Sequence, residues 1–247
     1  MTRQAERYAV IVTRPAPGAE KTCRQVAALG WYVIWHPLLQ IEATPRPVPS
    51  GRFTQLVVTS AQAIPALGDI ARDIPVCAVG AATAARLRTH DFTNIATCAG
   101  NAASIVTHLG SAPPSGRLLF PTGAQLGLKL TRALQERGWD VVRYLTYRSR
   151  PVTSLSDSLM SQIRSNAVDA IMFFSSRTAS AWVKAASVSG VDTRNLRAIT
   201  LSAAIAAHLK PSDWREISVS DAPDHDAILQ RLGPAPQTKR DGCAEFP

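Results

Sequence analysis

Short runs of apolar residues alternate along the chain with longer stretches in which apolar positions recur at helical spacing. The apolar runs predict strands at 8–13, 32–36, 55–59, 76–79, 94–97, 117–120, 140–144, 170–174, 197–201 and 216–219. The stretches between them predict helices, for example at 19–29, 125–137 and 227–232. Gly138 follows the second of these, where glycine is a common helix cap. Strands that alternate with helices favour parallel sheets in an α/β fold.

An internal repeat indicates two similar domains. Residues 56–63 (Leu-Val-Val-Thr-Ser-Ala-Gln-Ala) can be laid over 171–178 (Ile-Met-Phe-Phe-Ser-Ser-Arg-Thr). Residues 79–84 can be laid over 201–206 in the same order along the chain. Each copy predicts a strand, a turn of small residues and a helix, twice over. An imperfect repeat of this kind suggests duplication of one α/β unit.

Two extended, β-prone segments divide the chain. The first lies near 37–44 and is followed by Pro45, Pro47 and Pro49, which disfavour helix. The second lies at 144–151 and also ends in proline. We therefore expect a discontinuous first domain of residues 1–36 and 152–233 and an inserted second domain of residues 45–143. The two segments would be linker strands, and residues 234–247, rich in proline and polar residues, are expected to be disordered.

Composition narrows the function classes. Apolar residues make up 46% of the 247 positions, which is typical of a globular chain, and no apolar stretch reaches the ~20 residues of a membrane helix. The apolar run behind the N-terminal charges is also too short for a signal peptide, so we expect a soluble, cytoplasmic protein. The four cysteines, at 23, 77, 98 and 243, fit neither zinc-site nor disulfide spacing and are interpreted as reduced thiols.

The net charge of +9 favours an anionic partner. The basic residues are scattered singly, without the clusters or aromatic motifs of nucleic-acid-binding domains, so a multi-carboxylate small molecule explains the surplus at least as well. No histidine pair has metal-ligand spacing, and the acidic segment 221–226 is interpreted as a loop before a helix, so no metal site is predicted.

The order of several short motifs resembles the uroporphyrinogen-III synthase family over residues 8 to 232. The motifs are Val-Thr-Arg-Pro at 12–15, Thr-Ser at 59–60, Ala-Val-Gly-Ala-Ala-Thr-Ala at 78–84, Cys-Ala-Gly-Asn-Ala at 98–102, Leu-Leu-Phe-Pro-Thr-Gly at 118–123, Leu-Thr-Tyr at 145–147 and Phe-Phe-Ser-Ser at 173–176. Each motif alone is weak, and their ordered combination carries the resemblance.

The resemblance implies two α/β domains joined by a two-stranded β-ladder, with the ligand cleft between them. It implies cyclisation of hydroxymethylbilane to uroporphyrinogen III, with inversion of ring D and loss of water. It implies a lyase of tetrapyrrole and haem biosynthesis that uses neither a metal nor an organic cofactor. We expect a monomer that has no nucleic-acid or membrane partner and at most transient contacts with neighbouring pathway enzymes.

Most candidate substrate-binding residues lie where a predicted strand passes into a helix, a place where free backbone N–H groups bind carboxylates. They are Arg14, Thr59, Ser60, Gly80, Thr83, Asn101, Gly123, Ser175, Ser176 and Ser202. Any one of the hydroxyl residues is as well explained as an ordinary N-cap. Arg14 is suited to a bidentate carboxylate contact or to a surface salt bridge.

Tyr147 matches the tyrosine of the family's returning linker strand and is the predicted catalytic residue. A phenol keeps its proton at neutral pH, as a donor to the departing hydroxyl must. The alternative is a packing role in the ladder.

One departure from the family pattern supports a rival function. In the second copy of the repeat, Ser202 stands in place of a glycine and Ile205 in place of a threonine. These changes would suit a non-catalytic paralogue that binds a tetrapyrrole or another polyanion. A nucleic-acid-binding module is a third alternative and rests on net charge alone.

Overall fold

The computed structural model describes residues 8–98, 102–124 and 127–236. The strands are β1 (Ala9–Val12), β2 (Tyr32–Trp35), β3 (Leu39–Ala43), β4 (Gln55–Val58), β5 (Val76–Val79), β6 (Ile95–Cys98), β7 (Arg117–Gly123), β8 (Asp140–Pro151), β9 (Val168–Phe173), β10 (Arg197–Thr200) and β11 (Glu216–Val219). The helices are α1 (Gly18–Ala28), α2 (Ala81–Arg88), α3 (Ala102–Leu109), α4 (Leu128–Gln135), α5 (Asp157–Arg164), α6 (Ser176–Val188), α7 (Ala203–Ala206) and α8 (His225–Leu232), with 3₁₀ helices at Ala61–Ala66 and Pro211–Asp213.

The chain forms two compact units, and the predicted α/β class with two parallel sheets is confirmed. Unit 1 comprises the chain up to Gln40 and from Pro151 onward, and unit 2 comprises Ile41–Arg150. Within the described residues, no helix is long and apolar enough to cross a membrane.

Unit 1 is a five-stranded parallel sheet in the order β11-β10-β9-β1-β2, with helices on both faces. Successive side chains of β1 alternate between two apolar clusters. Ile11 joins the cluster under α5, α6 and α7, and Val10 joins the one under α1 and α8. Because both faces are covered, the central strand β1 is apolar and buried along its whole length, which is why the sequence shows it as a continuous run.

Unit 2 has the sheet order β3-β8-β7-β4-β5-β6, in which β4 to β8 are parallel. One face is covered by α2 and the first 3₁₀ helix, and the other by α3 and α4. Thr44 N donates a hydrogen bond to Thr146 O, and Val152 N donates one to Leu38 O, both at 2.9 Å. The later residue of the first segment therefore pairs with the earlier residue of the second, so β3 and β8 are antiparallel.

The two units share one connectivity. If unit 1 is read from β9 through β10 and β11 and then to β1 and β2, its spatial order is 3-2-1-4-5. Unit 2, read from β4 to β8, has the same order. This equivalence superimposes β9 on β4 and β10 on β5, which is the alignment that the internal repeat predicts.

Some predicted boundaries differ from the structure. A strand ending at Tyr144 and a separate linker strand were expected, whereas β8 is a single twelve-residue strand, because it pairs with β7 as far as Tyr147 and then with β3. The helix expected at 125–137 is α4, which ends at Gln135. Residues 125 and 126, like 237–247 of the predicted tail, lie outside the described residues. Ala235, near the start of that tail, packs on unit 1 and donates a hydrogen bond to Leu29 O (2.9 Å).

The interpretation of Cys77 and Cys98 as separate reduced thiols is wrong for this structure, in which they form a disulfide. Cys77 lies on β5 and Cys98 on β6, and the register pairs Cys98 with Val79, two residues beyond Cys77. The two side chains therefore share one face of the sheet. Their separation of 21 residues carried no signal, because the strand pairing and not the spacing brings them together. Cys23 is a free cysteine, and Cys243 lies outside the described residues.

Candidate active site

The predicted site residues of unit 1 follow three neighbouring strands. Ser202 follows β10, Ser175 and Ser176 follow β9, and Arg14 follows β1. In an open parallel sheet, ligands bind at the carboxyl ends of the strands, where the strand order reverses. That reversal falls between β9 and β1 in unit 1. Arg14 and Ser175 therefore flank the place that the topology itself favours for a ligand.

Unit 2 repeats this arrangement. Thr59 and Ser60 follow β4, Gly80 and Thr83 follow β5, and Gly123 ends β7. The strand order reverses between β4 and β7, so Ser60 and Gly123 flank the second favoured crevice. Asn101 follows β6 in the sequence but lies outside the described residues.

Arg14 reaches across the reversal point of unit 1. Its guanidinium lies 4.9 Å from the ring centroid of Phe174, the residue after β9, and Nη1 donates a hydrogen bond to Thr22 Oγ1 (3.2 Å). Burial lowers the pKa of Arg14, although the guanidinium remains charged at neutral pH. Among the described residues it has no carboxylate partner. The surface salt bridge considered above is therefore not formed there, and a half-buried positive charge remains available for an anion.

Gly18, the first residue of α1, makes room for this guanidinium. A β-carbon on Gly18 would lie 2.7 Å from Arg14 Cζ, closer than real β-carbons approach any atom. Any other residue at this position would displace the arginine head, so the glycine contributes to the site without touching a ligand.

Two of the predicted serines are helix caps, as the alternative interpretation held. Ser60 Oγ accepts a hydrogen bond from Gln62 N, and Ser175 Oγ accepts one from Thr178 N within a capping box. Capping uses one acceptor of each hydroxyl and holds the first turn of the helix in place. The N–H group directly after each cap, of Ala61 and of Ser176, is not used by the capping bonds and is one of the free donors of a first turn. Capping and anion binding are therefore compatible at these positions.

The altered turn of unit 1 has a conformational explanation. Gly80 adopts φ +77°, a region that favours glycine, whereas the equivalent Ser202 has an extended backbone with φ −162°. Thr83 and the equivalent Ile205 are both buried, 7% and 5% exposed. A serine is therefore tolerated at 202 because the turn there does not need a glycine conformation. The isoleucine at 205 occupies a buried position, as Thr83 does in unit 2.

Tyr147 lies in β8 beside Gly123 of β7, and a β-bulge sets its direction. The register pairs Thr122 with Leu145 but Gly123 with Tyr147, so β8 carries one extra residue. Such an extra residue interrupts the regular alternation of side chains along β8 directly before Tyr147. Tyr147 is 5% exposed, and no described residue forms a hydrogen bond with its hydroxyl. That hydroxyl is available to a ligand.

A small basic cavity beside the first turns of α6 was not anticipated from the sequence. Its volume is about 250 Å³, and its polar lining consists of Ser176, Arg177, Ser180, Lys184 and His208. Ser180 Oγ is 3.0 Å from His208 Nδ1. The i, i+4, i+8 spacing of Ser176, Ser180 and Lys184 on a helix was the available signal. The volume suits one carboxylate arm of a ligand and not a whole macrocycle.

A larger cavity of about 660 Å³ lies in unit 2 beside residues 48–54 and 69–75. These segments precede β4 and β5, so the cavity is at the amino ends of the strands, opposite the predicted site. Its charged lining mixes Arg52 with Asp69 and Asp73, which gives no preference for a polyanion.

Two histidines of unit 1 make its stability depend on pH. Burial lowers the pKa of His36 and of His225, and the charges of Arg14 and Lys21 lower that of His225 further. The unfolded chain therefore binds more protons than the folded chain as the pH falls through about 6.5, the ordinary histidine pKa, until the folded histidines are protonated too. We expect the free energy of unfolding to fall as the pH drops from ~7.5 to ~5.5 in urea titrations. The His36→Asn/His225→Gln double variant should show a flatter profile, and an equally steep one would contradict the assignment.

Taken together, the fold and site define a class: a protein of two doubly wound α/β units, each with polar turns at the carboxyl edge of its parallel strands. In unit 1 that edge carries Arg14, a half-buried guanidinium with no carboxylate partner among the described residues. A family model described as uroporphyrinogen-III synthase HemD matches residues 20–230. The chain belongs to this family of cyclising, lyase-type enzymes of tetrapyrrole biosynthesis.

Solved structures show the same fold. Uroporphyrinogen-III synthetase from Helicobacter pylori matches with a TM-score of 0.61 and 18% identity, over 90% of this chain and 97% of that chain. A mutant uroporphyrinogen III synthase from the extremely thermophilic bacterium Thermus thermophilus matches with a TM-score of 0.51 and 16% identity, over 91% and 97%. Among curated proteins no match was found.

Proposed function

We propose that this chain converts hydroxymethylbilane to uroporphyrinogen III, with inversion of ring D and release of one water. Within the structure, the observation that carries the proposal is Arg14, a half-buried guanidinium at the reversal point of a parallel sheet with no carboxylate partner among the described residues. Hydroxymethylbilane carries eight carboxylates, which match this site and the turns of both units.

The reaction asks the protein mainly to hold and orient its substrate. The pyrrole nitrogen expels the terminal hydroxyl, the C–O bond breaks, and a proton joins the leaving oxygen to give water. The resulting azafulvenium cation is attacked by the substituted carbon of ring D. The spirocyclic product then rearranges and closes with loss of a proton. Orientation of this kind is worth up to ~7–11 kcal/mol of the barrier.

We assign the carboxylates to backbone N–H groups and to basic side chains. Arg14 takes one carboxylate through its fork of donors, and the first turns of α2 and α6, together with Ser202, take others. Arg177 and Lys184 provide a further position beside α6. Gly123, Thr59 and Thr83 shape the corresponding edge of unit 2, and Asn101 is assigned to the turn after β6 from the sequence. The domain assignment of residues 1–36 with 152–233 and of 45–143 is part of the same proposal.

We assign Tyr147 as the donor that helps the hydroxyl to leave. It is buried in β8 beside Gly123, the last residue of β7, and its hydroxyl has no hydrogen-bond partner among the described residues. Because the pyrroles supply the electrons, the expected role is contributory and not essential.

The Tyr147→Phe variant should therefore lower kcat by about 10–100-fold, less than the ~100–10,000-fold usual for an essential general acid, with little change in KM. Tyr144→Phe is the matched control on the same strand, since its hydroxyl already donates to Arg46 O (2.7 Å) and serves the fold. Unchanged turnover of Tyr147→Phe at both saturating and limiting substrate would remove the assignment.

The proposed function is tested by supplying freshly generated hydroxymethylbilane to the purified chain and separating the oxidised porphyrin isomers. Mostly isomer III is expected, because only an oriented substrate closes with inversion. Only isomer I, the product of unassisted closure, would show that the chain does not catalyse the inversion, and the non-catalytic binding paralogue would replace the proposal.

The proposal includes a cytoplasmic location, which suits a highly charged substrate that stays in water, and a monomeric state with transient contacts to pathway enzymes. Light scattering should give a mass near 26.5 kDa with and without ligand. A mass twice as large would contradict the monomer.

A further inference from the structure

We propose that Cys77, Cys98 and His108 form a binding site for a thiophilic metal ion of the zinc class when the disulfide is reduced. The ligand atoms of these residues all lie within 4.8 Å of one another. They form the one cluster of at least three such side chains among the described residues. The inference does not depend on the proposed reaction, to which none of the three residues is assigned.

The fold brings the three side chains together from separate elements. Cys77 and Cys98 share a face of the sheet on the neighbouring strands β5 and β6. Helix α3 packs on that face through Ile105, which is in the same apolar cluster as both cysteines. His108 lies three residues after Ile105 and so on a nearby part of the helix surface. The His108 imidazole therefore approaches the two sulfur atoms from the helix that covers this face of the sheet.

The ligand set is chemically suited to zinc. Thiolate and imidazole are the ligands that Zn²⁺ prefers, at ~2.3 Å for sulfur and ~2.0–2.1 Å for nitrogen. Two ligand atoms of one tetrahedral ion are then ~3.5–4 Å apart, which is compatible with ligand atoms that lie within 4.8 Å of one another here. Three protein ligands leave a fourth position for water. His108 also lies in the last turn of α3, where the helix dipole favours a cation.

Burial gives the site a protected side and an entrance. Cys77 is 0% and Cys98 5% exposed, so the sulfur atoms are shielded from solvent, whereas His108 is exposed. An ion can therefore enter past the imidazole and reach the thiolates.

Oxidation state controls whether the site exists. A dithiol reductant breaks the S–S bond by delivering two electrons and two protons, and is itself oxidised to a disulfide. Metal binding then displaces the two thiol protons and gives a dithiolate complex. The disulfide and the metal complex are alternative states of one sulfur pair. Either the disulfide or the metal complex links β5 to β6. A backbone hydrogen bond from Gly80 N to Cys98 O (3.1 Å) joins the ends of the same two strands in addition.

The test uses the full chain in two oxidation states. One sample is reduced with a dithiol, stripped with a chelator and transferred to thiol-free, oxygen-free buffer, and the other is left oxidised. Each is titrated with Zn²⁺ against a colorimetric chelator and with Cd²⁺, followed by the ultraviolet thiolate-to-metal absorption. We expect one ion per reduced chain, with loss of two protons, and no comparable binding to the oxidised chain.

Variants assign the ligands. Cys77→Ala/Cys98→Ala should abolish the thiolate absorption, and His108→Ala, on the surface, should weaken Zn²⁺ binding by at least about tenfold. Cys23→Ser should bind as the parent chain does, and circular dichroism shows that each variant is folded. Equal binding by oxidised and reduced chains, no binding by the reduced chain, or undiminished binding by the cysteine or histidine variants would overturn the proposal.

Discussion

Replacing Arg14 by alanine lowers kcat/KM for ring closure by about 10–100-fold, mainly through a higher KM. A charge-assisted hydrogen bond is worth ~1.5–3 kcal/mol, which corresponds to this range. The variant also loses the contacts with Thr22 and Phe174, but it leaves no carboxylate unpaired among the described residues, so the main expected effect is on substrate binding. Steady-state kinetics with the isomer assay measures the effect. Arg14→Lys keeps the charge but loses the fork, so it should recover only part of the activity.

Gly18→Ala tests the same contact without removing the charge. The added β-carbon must displace the guanidinium, the flexible end of a long side chain, so the cost in stability should be small while KM rises as for Arg14→Ala. Gly68→Ala is the matched control, since a β-carbon there meets nothing within 4 Å. If Arg14→Ala keeps kcat/KM within about twofold of the parent value, Arg14 is a structural residue and the carboxylate assignment fails.

The sequence could predict the fold because both faces of each sheet are covered. Strands buried on two sides appear as apolar runs, and nine of the ten predicted strands agree with their observed bounds to within about three residues. The break expected in β8 was wrong, because the length of a strand depends on its partners. Strand β7 pairs with the first part of β8, and β3 pairs with its last part. The Cys77–Cys98 bond was missed for the same reason, because register across a sheet is not visible in one sequence.

For the site, the sequence located the turns but not the neighbours of each side chain. Arg14 and Ser175 could be placed at a sheet edge because they directly follow apolar runs. The cavity lined by Lys184 and His208 could not, because His208 follows α7 and meets α6 only in the folded chain. The role of Gly18 was also invisible, since it depends on where the Arg14 head packs. Contacts between elements that are distant in sequence are what the structure adds.

Replacing Trp182 by alanine lowers the free energy of unfolding of unit 1 by about 3–5 kcal/mol, the usual cost of removing a buried large aromatic side chain. Trp182 is 1% exposed, packs edge-on against Phe173 (centroids 6.3 Å apart) and makes a tilted ring contact with Trp214 (6.5 Å). No described residue accepts a hydrogen bond from its Nε1. Trp182→Phe removes this unsatisfied donor and keeps a ring, so it should cost clearly less than the alanine variant. Urea unfolding followed by far-ultraviolet circular dichroism measures both.

Val188→Ala is the control on the same helix, because Val188 is 73% exposed and should change stability by no more than ~0.5 kcal/mol. A cost below ~1 kcal/mol for Trp182→Ala would mean that α6 is not anchored through this residue. The anchor matters for function because α6 is capped by Ser175, begins with Ser176 and carries Arg177 and Lys184. Loosening the buried face of the helix should therefore raise KM for the bilane even under conditions where the variant remains folded. Val188→Ala, which leaves that face intact, should not.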